Sequence, residues 1–112
     1  MKNILIVSKD SQLSNVIAIF LKREDYQVFV EDCGEHAAKV FRETAIDIII
    51  TEPYFNRGSV NGEQLASMYL SLQPRGKLLI MSGGEYEGTY PFIQKPFSVE
   101  DFLDKVSEIL GE

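Results

Sequence analysis

The chain has 112 residues, 45% of them hydrophobic and 25% charged, a length and balance that suit one soluble domain with a single core. A formal net charge of −6 argues against nucleic acid or an anionic membrane as the main partner. One cysteine, Cys33, excludes an intrachain disulfide and a multi-cysteine metal site, and a reducing cytoplasm is the expected compartment.

Asn3 to Val7 reads as a short buried strand, and its apolar run Ile4 to Val7 is too short for a signal peptide or a membrane span. Ser8-Lys9-Asp10-Ser11 breaks it, with Asp10 or Ser11 as a helix cap. Leu13, Val16, Ile17, Phe20 and Leu21 then form one apolar helical face. Tyr26 to Val30 reads as a second strand, and Asp32 is the candidate cap of a second helix carrying Ala37, Ala38, Val40 and Phe41. Ile46 to Thr51 is an unbroken, largely β-branched run, the pattern of a strand buried on both faces of a parallel sheet. Pro53 cannot donate to a ladder, so the strand stops there and leaves Glu52 at its carboxyl end. In open α/β sheets that edge is where ligands and chemistry are found.

Tyr54 to Val60 is a polar loop. Asn61 and Gln64 have the spacing of a capping box for a third helix, whose apolar face is Leu65, Met68, Tyr69 and Leu72. Pro74-Arg75-Gly76 ends it, and Leu78 to Met81 reads as a fourth strand ending at Ser82. Three glycines, Gly83, Gly84 and Gly88, then leave no room for a typical helix, so a loop or a single turn is expected there. Tyr90 to Gln94 is a fifth strand closed by Lys95-Pro96. Ser98 opens a final amphipathic helix with Val99, Phe102, Leu103, Val106, Ile109 and Leu110, and Gly111 ends it. Strands alternating with helices imply a parallel sheet covered on both faces. There is no repeat, low-complexity tract or linker, so residues 1–112 are read as one domain.

This pattern resembles the receiver domain of bacterial two-component response regulators along essentially the whole chain. The resemblance rests on Ile4-Leu5-Ile6-Val7 with its polar triplet, Asp47 to Glu52, Asn61-Gly62, Leu78 to Ser82, and above all Phe92-Ile93-Gln94-Lys95-Pro96-Phe97. The short connection from Ser82 to Lys95 is most like the receivers of hybrid histidine kinases. The resemblance implies a flavodoxin-like α/β three-layer sandwich with a five-stranded parallel sheet, order 2-1-3-4-5, and a fourth helix shortened or absent.

It also implies roles, position by position. Glu52 falls on the phosphoacceptor aspartate, Ser82 and Lys95 on the groups that contact the phosphoryl, and Phe92 on the aromatic that changes rotamer in the switch. The magnesium-binding acidic pair falls on Ser8 and Lys9, with Asp10 acidic but one place late. The loop Pro53-Tyr54-Phe55-Asn56 also departs from the family's pattern. Magnesium wants near-octahedral oxygen ligands, usually with carboxylates. Here Ser8 is neutral, Lys9 is cationic, and the two carboxylates Glu52 and Asp10 are balanced by the ammoniums of Lys9 and Lys95. No cofactor is therefore expected, Mg²⁺ binding included.

The expected function is an atypical receiver that is not phosphorylated and works by binding a signalling protein such as a histidine kinase or an output domain. It is expected to be a monomer without enzymatic activity, nucleic acid or membrane. Within that reading Glu52 either imitates the phosphorylated acceptor by reaching Lys95 and Ser82, or is a strand-end carboxylate paired with Lys9 or Lys95. Two alternatives stay open: a working phosphoacceptor that uses Glu52 or Asp10, and a small-molecule site in the same crevice, although no glycine-rich phosphate loop follows the first strand. His36 reads as a surface residue and Cys33 as a small packed one. Tyr86 and Tyr90 are core cover or a partner-facing aromatic patch.

Overall fold

The computed structural model describes residues 1–55 and 58–112, so Asn56 of the altered loop lies outside the described residues. In chain order the elements are β1 (Asn3–Val7), α1 (Ser11–Arg23), β2 (Gln27–Glu31), α2 (Gly34–Glu43), β3 (Ile48–Thr51), α3 (Gly62–Leu72), β4 (Lys77–Ser82), β5 (Phe92–Gln94) and α4 (Val99–Leu110). All strand pairs are parallel, and the sheet order is β2-β1-β3-β4-β5. Residues 83–91, between β4 and β5, contain no helix.

The sheet divides the core in two because successive side chains of a strand point to opposite faces. Ile4, Ile6, Ile48, Ile50, Leu79 and Met81 meet α1 and α4 through Ile17, Leu21, Phe102 and Val106. Leu5, Val7, Ile49 and Leu78 meet α2 and α3 through Ala37, Phe41, Leu65 and Tyr69. β3 is buried at every residue, as a central parallel strand requires.

Three helices bury the same narrow stripe, spaced i, i+3, i+4, i+7. It is Ser14, Ile17, Ala18 and Leu21 in α1, Gly34, Ala37, Ala38 and Phe41 in α2, and Gly62, Leu65, Ala66 and Tyr69 in α3. Small residues in each stripe let the helices lie close on the sheet. Val16 and Leu72, expected on the buried faces, flank these stripes and are exposed.

Helix ends follow side-chain chemistry. Asp10 caps α1 by accepting from the Leu13 amide, and Asn61 and Gln64 form the reciprocal box that opens α3. Ser98 accepts from the Asp101 amide at the start of α4, and Gly111 closes that helix with a left-handed φ of 75°. α2 differs from expectation. Its N-cap is Cys33, in extended backbone and without a side-chain capping bond, in place of Asp32.

Strand limits also move: β4 begins one residue earlier, at Lys77, and β2 runs on to Glu31. β2 starts after Tyr26, whose hydroxyl donates to Glu112 Oε1 at 2.8 Å. β3 begins at Ile48; the Ile46 amide donates to Gln73 Oε1, while the Asp47 amide still donates to the Asn3 carbonyl and the Asp47 carbonyl accepts from the Lys77 amide. β5 is confined to Phe92–Gln94.

Candidate functional site

The strand order reverses between β1 and β3, and the residues that follow those strands, Ser8 and Glu52, face each other across that crevice. The Glu52 amide donates to the Val7 carbonyl at 3.1 Å, which extends the ladder one step and holds the residue at the edge. Gly62 presses on it from α3. A Cβ there would stand 2.5 Å from the Glu52 carbonyl oxygen, and the Gly62 amide donates to the Pro53 carbonyl at 2.9 Å. The end of β3 and the first turn of α3 therefore form one rigid corner.

Glu52 is only 3% exposed, and both of its carboxylate oxygens are engaged. Oε1 accepts from the Ser8 hydroxyl at 2.6 Å and from the Lys9 amide at 2.7 Å. Oε2 is paired with the Lys95 ammonium. Lys95 is held in place by its own amide, which donates to the Ser82 carbonyl at 2.8 Å. Burial pushes the Glu52 carboxyl up. The Lys95, Ser8 and Lys9 donors pull it down and prevail, so it titrates below the ordinary carboxylate value. The group is an anion at neutral pH, neutralised locally by one lysine.

Of the residues singled out in the sequence, Ser8, Lys9 and Lys95 converge on Glu52, although Lys9 does so through its backbone amide. Of the two ion-pair partners expected for Glu52, Lys9 or Lys95, the ammonium is that of Lys95, while the chain turns after β1 so that Lys9 contributes its amide. Asp10 does not join them. Its Oδ1 caps α1 by accepting from the Leu13 amide at 3.1 Å, and its own amide donates to Ser8 Oγ at 3.0 Å. Ser82 lines the same cleft but turns to its own loop, donating to the Gly84 carbonyl at 2.9 Å and accepting from the Gly84 amide at 3.3 Å. The contact from Glu52 to Ser82 that a phosphoryl mimic was expected to make is therefore replaced by a local turn. Sequence reading missed the Ser8 hydroxyl as a partner of Glu52; its place directly after the first strand was the available signal.

A cleft of about 630 Å³ opens beside Glu52, between the start of α3 and residues 83–88. Tyr86 stands over it, its hydroxyl donating to Glu63 Oε1 at 2.8 Å and its ring 5.6 Å from that of Phe92. Burial, then the bond to Glu63, raises the Tyr86 phenol to about 12. Gly88 makes room for this arrangement, since a Cβ there would stand 2.1 Å from the Tyr86 hydroxyl. Phe92 is 44% exposed, on the edge strand β5.

Sheet order and crossovers define a doubly wound α/β protein with the flavodoxin-like order. Within that class the fold is the one found in response regulator receiver domains. The receiver domain of the hybrid histidine kinase CckA superposes with a TM-score of 0.85 at 24% identity, covering 96% of this chain and 98% of that one. A CheY-like receiver domain protein from Methanospirillum hungatei gives 0.90 at 21%, covering 99% and 94%. Among curated proteins, the heme response regulator HssR of Staphylococcus aureus is 25% identical over 114 residues, which is 95% of this chain and 50% of that protein. An NtrX-like response regulator of Rickettsia bellii is 26% identical over 105 residues, covering 86% and 22%. The chain thus spans half or less of the length of these curated relatives. No family model matches it.

Proposed function

We propose that residues 1–112 form an atypical receiver domain of two-component signalling, one that takes no phosphoryl group and acts as a protein-interaction module. The observation that carries this reading is the state of Glu52. The carboxylate at the phosphoacceptor position is buried, and its oxygens are already taken by Ser8, Lys9 and Lys95. Phosphoryl transfer depends on positioning an attacking oxygen and neutralising the charge that builds around it. An oxygen held in an ion pair at the base of the crevice is poorly placed to attack. The positions equivalent to the magnesium-binding acids carry Ser8 and Lys9, and the nearest acid, Asp10, is committed to capping α1. These residues do not fit a hard divalent cation, which asks for carboxylate oxygens.

The Lys95 contact supports the plain ion-pair role of Glu52 over the phosphoryl mimic, because Ser82 takes no part in it. The partner in this reading is another signalling protein, a histidine kinase or an output domain, and the domain itself is monomeric and cytoplasmic. No helix among the described residues is long and apolar enough to cross a membrane. The helix-free stretch 83–91 is read as the counterpart of the family's fourth helix, which changes the surface around β5 that receivers commonly use to dimerise.

The test is an NMR titration with Mg²⁺, then with Mg²⁺ and beryllofluoride, a phosphoryl analogue. The expected result is a spectrum unchanged at millimolar ligand. Shifts centred on Glu52, Ser82, Phe92 and Lys95 would return the domain to the working receivers.

A further inference from the structure

We propose a zinc-class metal site at the carboxyl end of β2, formed by Asp32, Cys33 and His36. The inference does not depend on the reading of Glu52. One ligand atom from each of the three residues lies within 4.8 Å of the other two. The set combines a thiol, an imidazole and a carboxylate, the donors that tetrahedral Zn²⁺ accepts and that Mg²⁺ or Ca²⁺ do not favour. A fourth oxygen is near: Glu31 Oε1 stands 3.9 Å from His36 Nδ1, and Asp32 Oδ1 stands 3.6 Å from the same nitrogen.

Cys33 sets this cluster apart from an ordinary surface group of acids around a histidine. It is the N-cap of α2 yet makes no side-chain capping bond, it is in no disulfide, and it is 3% exposed. A buried thiol thus lies within 4.8 Å of ligand atoms of two half-exposed residues four positions apart in sequence. Its backbone is fixed as well. The Cys33 carbonyl accepts the Ala37 amide at 3.1 Å, and a Cβ on the next residue, Gly34, would come within 2.7 Å of Val60. Glu31 is held from the other side, its carbonyl accepting the Ser8 amide at 3.0 Å. Bringing the ligands to metal distances therefore needs side-chain rotation at Asp32 and His36, with little movement of the chain.

The experiment is a titration of the reduced chain with Co²⁺, followed by displacement with Zn²⁺. The expected result is a thiolate-to-cobalt charge-transfer band that saturates at one ion per chain and disappears when Zn²⁺ is added. Cys33→Ser should abolish the band, and His36→Ala should weaken binding by more than about tenfold. His36 is a surface residue, so that variant keeps the test open if the Cys33 variant misfolds. Absence of the band, or His36→Ala binding as tightly as the parent chain, would overturn the proposal. So would binding without the band, the signature of scattered surface carboxylates.

Discussion

Two clusters of acid and base sit on the same edge of the sheet, one around Glu52 at the end of β3 and one around His36 beyond the end of β2. The first is closed: a buried carboxylate, both oxygens engaged, a lysine pinned by its own backbone bond. The second is open, with His36 and Asp32 about half exposed and His36 Nδ1 3.6 Å from Asp32 Oδ1 and 3.9 Å from Glu31 Oε1. What separates them is burial rather than the kinds of residue present. An enclosed charge makes every partner costly to remove, whereas contacts between exposed polar groups are screened by water and cost little to break.

Breaking the closed cluster should give the largest effect. Lys95→Ala would leave Glu52 buried with one oxygen unpaired, and urea denaturation should show a loss of about 3 kcal/mol. Acid should reach the same contribution by another route. The folded-state carboxyl of Glu52 lies below its unfolded value, so its stabilisation is fully present above the ordinary value of 4.5 and is lost as pH falls through the folded value. The difference in urea midpoint between the parent and Glu52→Gln should therefore shrink on acidification. Glu35, also lowered, chiefly by its bond from the Ser59 amide, acts in both proteins and cancels. A midpoint difference that stays constant with pH would mean Glu52 contributes no linked charge. At an intermediate level, Asn61→Ala removes half of the box that opens α3 and should lower stability by about 1 kcal/mol in the same assay. The smallest effect is expected in the open cluster, where His36→Ala without metal should change stability by less than about 0.5 kcal/mol. A large loss there would erase the contrast.

The parallel sheet and the placing of Glu52 were legible because they rest on strong local signals: apolar runs, Pro53, and turn residues at regular intervals; the strand order came from the resemblance to receiver domains. The Asn61–Gln64 box and the Gly111 stop were legible for the same reason. Choices decided by packing were not. Helical spacing marks a broad apolar face, and only the sheet decides that Ser14 and Ala66 lie inside while Val16 and Leu72 stay out. At the site, a letter code shows that Lys9 is a cation but not that its amide, rather than its ammonium, meets Glu52. It likewise could not show Ser82 folding back on Gly84. Asp32, Cys33 and His36 read singly as a cap, a packed thiol and a surface residue; the end of β2 and the first turn of α2 make them neighbours.

Tyr86 gives Phe92 a mechanical load. Its ring lies on Phe92 while its hydroxyl is moored to Glu63 in the first turn of α3. A swing of Phe92 about its χ1 bond would therefore disturb a second ring whose hydroxyl is bonded to α3. The chain has five tyrosines and no tryptophan, so that motion would be visible without a label as a change in tyrosine emission. β5 and α3 are thus tied through one tyrosine, and a partner that covered Phe92 would also meet the Tyr86 ring.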